Sequence, residues 1–459
     1  MIGSSGAQKQ RRVDRPFLLL ALCFCCWGLS EFLFPPTGEA YDRTVPKMTH
    51  AAIMATCLIC TLNDFRTATR PIRFRNAMVS GGILSVILIV FQVFTFDRMS
   101  DQLWPFLLSK FYSGCYITEW YAVFLFCAVH IQVNPKAYQT FLWFVPTMLV
   151  LFLLAGCNLA SMNVNAAVSE EFQSGIYAGY YIVCLYPFIW DLRNKILKFI
   201  LIVLVIYGVI DTMKRGAMVC LALSLLISFL AYYVFFAEGI RRIPYLFTLG
   251  TLLSIMIVVM GLSISKKQDT FNHRMQDIQS GSGRIAIYKE AWEIFKSLPP
   301  DEKATGTRTP SKQIRAHNDF LFVLVSYGIV GLFFYVLFDI GLFRIWLRSL
   351  ELKIPMLPGL MAALANISVI QMISYGLEGH AFVICCAYVG IVQGLLYASP
   401  EEDDYYDYDE IIEEYEDDWG YEEEEFPAEY APEPPLEQPS NPEILTPFHG
   451  LRYPYDGEP

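Results

Sequence analysis

A chain of 459 residues that is 54% hydrophobic, only 17% charged and of mean hydropathy +0.39 is not a water-soluble domain, since such domains carry about 25% charged residues. The net charge of -11 does not make it an acidic binding protein, because residues 401–430 hold 17 Asp and Glu and no Lys or Arg while the rest is mildly basic. Twelve cysteines exclude neither compartment nor class. They lie inside apolar segments, where Cys acts as a small hydrophobe. The CxxC of Cys57 and Cys60 has no second ligand pair, so neither a disulfide framework nor a metal site is expected.

Residues 1–15 are polar and basic, with no cleavable leader evident, and read as a cytoplasmic N-terminus. Twelve apolar segments follow, each near the ~20 residues a helix needs to cross the hydrocarbon core. They run over 16–34, 45–63, 76–95, 104–130, 140–160, 174–190, 196–211, 216–236, 244–264, 317–343, 355–376 and 380–398. This predicts an all-α polytopic membrane domain over 16–398 with about 12 transmembrane helices. Glu119 is its one strong mid-span ionisable residue.

The positive-inside rule orients the segments. With the N-terminus inside, the inner segments hold 17 Lys and Arg and the short outer ones five: Arg43, Lys47, Arg98, Lys214 and Arg215. The long segment 265–316 then lies outside. Within it Ile285, Tyr288, Trp292 and Phe295 recur at spacings of three and four, which predicts an amphipathic helix with an aromatic face suited to the membrane interface, N-capped by Ser282. From 399 the chain is rich in acids, tyrosines and then prolines, and is read as a disordered cytoplasmic tail.

Polar groups gather on the outer side. Lys214 and Arg215 open the eighth span, where topogenic charge is not expected. The loop carries His273, Arg274, Arg284, Arg308, Lys312 and Arg315. His317 and Asn318 open the tenth span, and Glu378 and His380 occupy the last outer turn. Arg284 begins the amphipathic helix, where a cation opposes the helix dipole unless an anion is near. His317 sits at a loop–helix junction, where a surface or capping histidine is the ordinary occupant.

The segments SGRIAIYKEAWEIF at 282–295, Gly306 in ATGTR, AHNDFLFVLVSYGIVGLFFYV at 316–336 and KRG at 214–216 resemble the O-antigen ligase and O-antigen polymerase superfamily of bacterial envelope glycan transferases. The HN followed by GIVG is the most specific piece. KRG departs from the Ser that often precedes the Arg in the family. The first five spans are similar only as hydrophobic helices.

The resemblance implies a GT-C-like membrane architecture with one large periplasmic loop, in the bacterial inner membrane, with both termini cytoplasmic. It implies transfer of a glycan from an undecaprenyl diphosphate carrier to an acceptor hydroxyl at the outer face. The acceptor is lipid A core sugar in a ligase and another lipid-linked glycan in a polymerase. Inversion at the anomeric centre and independence from metals or other cofactors are expected. Arg215 and Arg284 would hold the diphosphate and His317 would activate the acceptor. Lys214, Arg308, Lys312, Arg315 and Asn318 would be further substrate contacts. The competing class is a transporter or flippase of lipid-linked glycans, which would place charges at the midplane and show repeated halves. A scaffold whose acidic tail recruits a cytoplasmic partner is a third reading.

Overall fold

The computed structural model describes residues 13–34, 44–69, 71–94, 114–162, 178–212, 214–237, 242–266, 284–307, 317–373, 377, 380 and 382–398. All regular structure among them is helical. In chain order the helices are α1 (Arg15–Leu33), α2 (Thr44–Thr67), α3 (Asn76–Phe94), α4 (Glu119–Val133), α5 (Tyr138–Leu142) and α6 (Val145–Met162). Then come α7 (Ala178–Cys184), α8 (Tyr186–Trp190), α9 (Lys195–Asp211), α10 (Arg215–Phe235), α11 (Arg242–Lys266), α12 (Arg284–Ser297) and α13 (Pro300–Thr305). The last are α14 (Asp319–Glu351), α15 (Leu357–Ile373) and α16 (Val383–Ala398).

A helix stands over each of the twelve apolar segments, but not all are full-length spans. Among the described residues five helices are long and apolar enough to cross a bilayer, or six if the pair Pro135–Leu142 and Val145–Gly156, bent by 44°, counts as one. The expectation of about 12 spans is thus met only in part: Asn76–Phe91, Glu119–Val133, Ala178–Trp190, Leu357–Ile373 and Val383–Ala398 are shorter apolar helices. The 104–130 and 174–190 segments are described only from 114 and 178 onward. The tenth element begins two residues later than expected and continues past 343 to Glu351. The tail from 399, Ser282 and half of the 265–316 loop (267–283 and 308–316) lie outside the described residues.

The exterior explains the composition. Ile243, Leu246, Phe247, Ile257, Val258 and Leu262 of α11 are all exposed, which in water would be a large uncompensated apolar face. In lipid it is the solvated face. The eleven described cysteines are free thiols.

Inside, breaks in helices are closed by specific donors. Pro187 has no N–H to offer Val183 O four residues earlier. The Asn366 side chain on α15 donates to that carbonyl at 3.3 Å, and its own oxygen accepts from Ser224 of α10 at 2.8 Å. In α14 the backbone leaves helical geometry at Gly328 (φ 69°, ψ -169°). The released carbonyl of Val325 accepts the N–H of Thr307 at 2.9 Å. The segment after α13 is thereby laid across the break, with Gly306 at φ 95°. A Cβ on Gly306 would stand 2.2 Å from Ser326 O, and one on Gly328 would stand 2.4 Å from Ala304 O. The chain can pass over itself here only because neither residue has a side chain.

The polar contacts sort into two ends of the helix set. At one end His130 bridges Asp64 (2.8 Å) and Asp14 (3.1 Å). Burial works against charge on Asp14, but bonds from His130, the Phe17 N–H and Asn134 outweigh it and hold this carboxyl below its usual range. At the same end Asp191 accepts from Tyr138 (2.6 Å) and Tyr388 (2.8 Å). All of these except Tyr388 belong to, or border, segments that the charge pattern placed together. The other end carries the candidate site.

Replacing Gly306 by Ala is expected to undock this crossing at a cost of about 1–3 kcal/mol. Thermal unfolding of the detergent-solubilised protein would read it as a lowered midpoint. Gly250→Ala, with nothing within 4 Å, should cause no loss. Equal midpoints for wild type and Gly306→Ala would contradict the packing described.

Candidate functional site

Arg215 is the first residue of α10, and Lys214 before it provides no side-chain cap to the helix. Lys214 lies over the ring of Tyr180, its Nζ 5.7 Å from the centroid. Gly216 faces Tyr180 and Ile373, the last residue of α15. Arg215 is therefore held next to the end of α15.

His317 and Asn318 approach the same point from the opposite side. Asn318 is the N-cap of α14, its side-chain oxygen accepting from Leu321 N at 3.0 Å. Its Nδ2 donates to Met372 O at 3.3 Å. That carbonyl is near the C-terminal end of α15, where the helix supplies no acceptor's partner. His317, just before the cap, has φ 48°, a left-handed geometry uncommon outside glycine. It is held there by the phenol of Tyr288, which donates to His317 O (3.2 Å) and to Met372 O (3.3 Å).

Tyr288 brings α12, and with it Arg284 one turn earlier. Burial pushes the Tyr288 hydroxyl's pKa up, and the nearby Arg284 guanidinium opposes that rise. Arg215, Arg284, His317 and Asn318 are all half-buried, so a ligand can reach them. Arg308, Lys312 and Arg315 lie outside the described residues. Among described residues, then, the start of α10, the Tyr288 turn of α12 and the 317–318 turn meet around Met372 and Ile373.

The amphipathic helix differs in detail from the sequence pattern. Its packed face is Ala291, Ile294 and Phe295, set against Leu321 and Val325 of α14. Ile285 and Trp292 remain 60% and 46% exposed, with Trp292 stacked on Phe295 at 5.7 Å. The expected face is split between protein and surroundings. Tyr288 was expected merely to sit in the membrane interface; its hydroxyl instead joins two backbone carbonyls, which residue spacing does not reveal.

Two further groups escaped the sequence reading. Asp319 is buried and accepts from Tyr335 (3.2 Å) and from Leu377 N (3.2 Å), tying the start of α14 to the turn after α15. Glu119 is not an isolated mid-span charge: His50 and His380 both bond it.

The apolar, many-helixed body is that of a multi-pass membrane protein. Within it, residues 200–336 match the family model described as O-Antigen ligase, so the resemblance to the O-antigen ligase superfamily holds over that segment. The matched stretch contains Lys214, Arg215, Arg284, Arg308, Lys312, Arg315, His317 and Asn318, and ends shortly after Gly328. No curated protein matches the chain.

Tyr288→Phe is expected to lower the transfer activity proposed below about fivefold, the effect of losing one hydrogen bond worth ~1 kcal/mol, while membrane abundance stays normal. Assay of the purified variant alongside its quantified amount checks this. Undiminished activity would mean that the phenol does not position His317.

Proposed function

We propose that this protein is a membrane glycan transferase of the O-antigen ligase type. It moves a glycan from an undecaprenyl diphosphate carrier to an acceptor hydroxyl at the outer face of the inner membrane. The observation that supports this reading is that the start of α10 after Arg215, the Tyr288 turn that follows Arg284 and the backbone of His317, all within the stretch matched by the family model, meet at the end of α15.

The chemistry suits these groups. The acceptor oxygen attacks the anomeric carbon, and the bond from that carbon to the diphosphate oxygen breaks with its electron pair leaving on the diphosphate. The acceptor proton goes to His317, imidazole being the side chain whose ordinary pKa lies nearest neutral pH. Attack opposite the leaving group inverts the anomeric centre. Arg215 and Arg284 neutralise the charge that develops on the diphosphate, which a guanidinium does with a planar fork of donors. Such preorganised stabilisation in a partly dry site supplies several kcal/mol. This account calls on no metal.

Lys214, Arg308, Lys312 and Arg315 would contact phosphate or glycan at the rim. Asn318 serves the substrate indirectly, through the cap and the Met372 contact. The shorter apolar helices complete about twelve crossings in this reading, which puts the His317 end outside and the Asp14 end, the two termini and the acidic tail in the cytoplasm. A transporter is less well supported, because the cations cluster at one end rather than at midplane.

His317→Ala and Arg215→Ala should each abolish transfer, with the protein still in the membrane. Near-normal surface glycan in both variants would sink the assignment. Deleting the gene separates the two related activities on a glycan gel. Loss of all polymer from the lipid A core with long carrier-linked chains retained means ligase; a single unit still attached to the core means polymerase; an unchanged profile opposes both. Truncation after Ser399 is expected to leave in vitro transfer intact, and its loss would contradict the proposed topology.

A further inference from the structure

Three ionisable side chains from distant parts of the chain meet in the interior. His50 comes from α2, Glu119 is the first residue of α4, and His380 lies between α15 and α16. Their exposures are 3%, 1% and 3%. The Nδ1 atoms of His50 and His380 stand 2.8 and 2.6 Å from the same oxygen, Oε2 of Glu119. His50 Nδ1 is also 3.1 Å from Oε1. The two imidazoles stack at 4.1 Å with 26° between their planes. His380 holds a left-handed φ of 51° in this position.

Two stacked imidazoles this close resist carrying two positive charges, since like charges ~4 Å apart repel by about 4 kcal/mol even at an effective dielectric of 20. Neutral imidazole and ionised carboxylate are the forms that bind a metal. The ligand atoms of all three residues lie within 4.8 Å of one another. Opening the 2.8 and 2.6 Å contacts by about 0.5–1 Å gives the ~3.3–3.6 Å edges of a tetrahedron with bonds of ~2.0–2.2 Å. A cavity of about 10 Å³ lined by His50, Ala51, Met54, Tyr116 and Glu119 adjoins the cluster. That is room for about one water as a fourth ligand, and too little for a substrate.

We propose that His50, Glu119 and His380 form a binding site for one divalent transition-metal ion, zinc by the character of its ligands. The ion fastens α2 and α4 to the turn that carries His380. Leu377, three residues before His380, bonds Asp319 at the start of α14. The fastening thus reaches the helix that begins beside His317, while taking no part in transfer. The three ligands lie outside residues 200–336, and the inference does not rest on the proposed reaction.

The test uses the full chain with a tag free of histidine, purified in detergent, loaded with zinc chloride and desalted. Elemental analysis should find about one zinc per chain, and zinc should raise the thermal midpoint in a manner reversed by EDTA. Cobalt should give the visible absorption of a tetrahedral site. His380→Ala and Glu119→Gln should each lose the metal to below about a tenth of an equivalent. Because a variant that unfolds also loses metal, the wild-type zinc content, midpoint shift and cobalt spectrum decide independently. Wild type retaining no zinc and showing no shift would leave a hydrogen-bonded triad and overturn the proposal. Equal zinc in wild type and His380→Ala would place the metal elsewhere and overturn it too.

Discussion

In hydrocarbon, a backbone group that leaves its helix finds no water, and each unsatisfied group costs several kcal/mol. Two interior breaks and the turn before α14, among the described residues, answer to that constraint. The carbonyl released by Pro187 is taken by Asn366, and the one released at Gly328 by Thr307. The carbonyls of His317 and Met372 are taken by Tyr288 and Asn318. These substitutes for helical bonds are long-range, so each one also fixes a tertiary relationship. The unwound points therefore locate the elements of the candidate site relative to one another.

The candidate site follows from this arrangement. Arg215 and Arg284 each begin a helix as described, and His317 stands just before the cap of a third. Cations at helix starts are electrostatically disfavoured without an anion to share. A lipid-linked diphosphate would relieve that conflict, and the unfavourable placement becomes intelligible as preorganisation.

Much of this was legible in the residues. Runs of apolar side chains marked where helices lie, and the cations at 214–215, 284 and beside 317 stood out because neither topogenic charge nor helix electrostatics explains them. The HN followed by GIVG pointed to the same region that the family model matches. What the pattern concealed was interruption and partnership. Pro187 and Gly328 sit in segments whose hydropathy runs on unbroken, so two breaks were invisible. Tyr288 reads as one more aromatic on an amphipathic face until its phenol is seen between two carbonyls. Glu119 reads as a lone charge because His50 and His380 are remote in the chain.

The central claim is that the cluster around Met372 and Ile373 receives a diphosphate. A structure of the protein in lipid nanodiscs with undecaprenyl diphosphate tests it most directly. The account predicts diphosphate density within hydrogen-bonding reach of Arg215 and Arg284, ~2.7–2.9 Å for such charged contacts, with His317 facing the same space. Diphosphate bound at the opposite end, near Arg193 and Lys195, would contradict it.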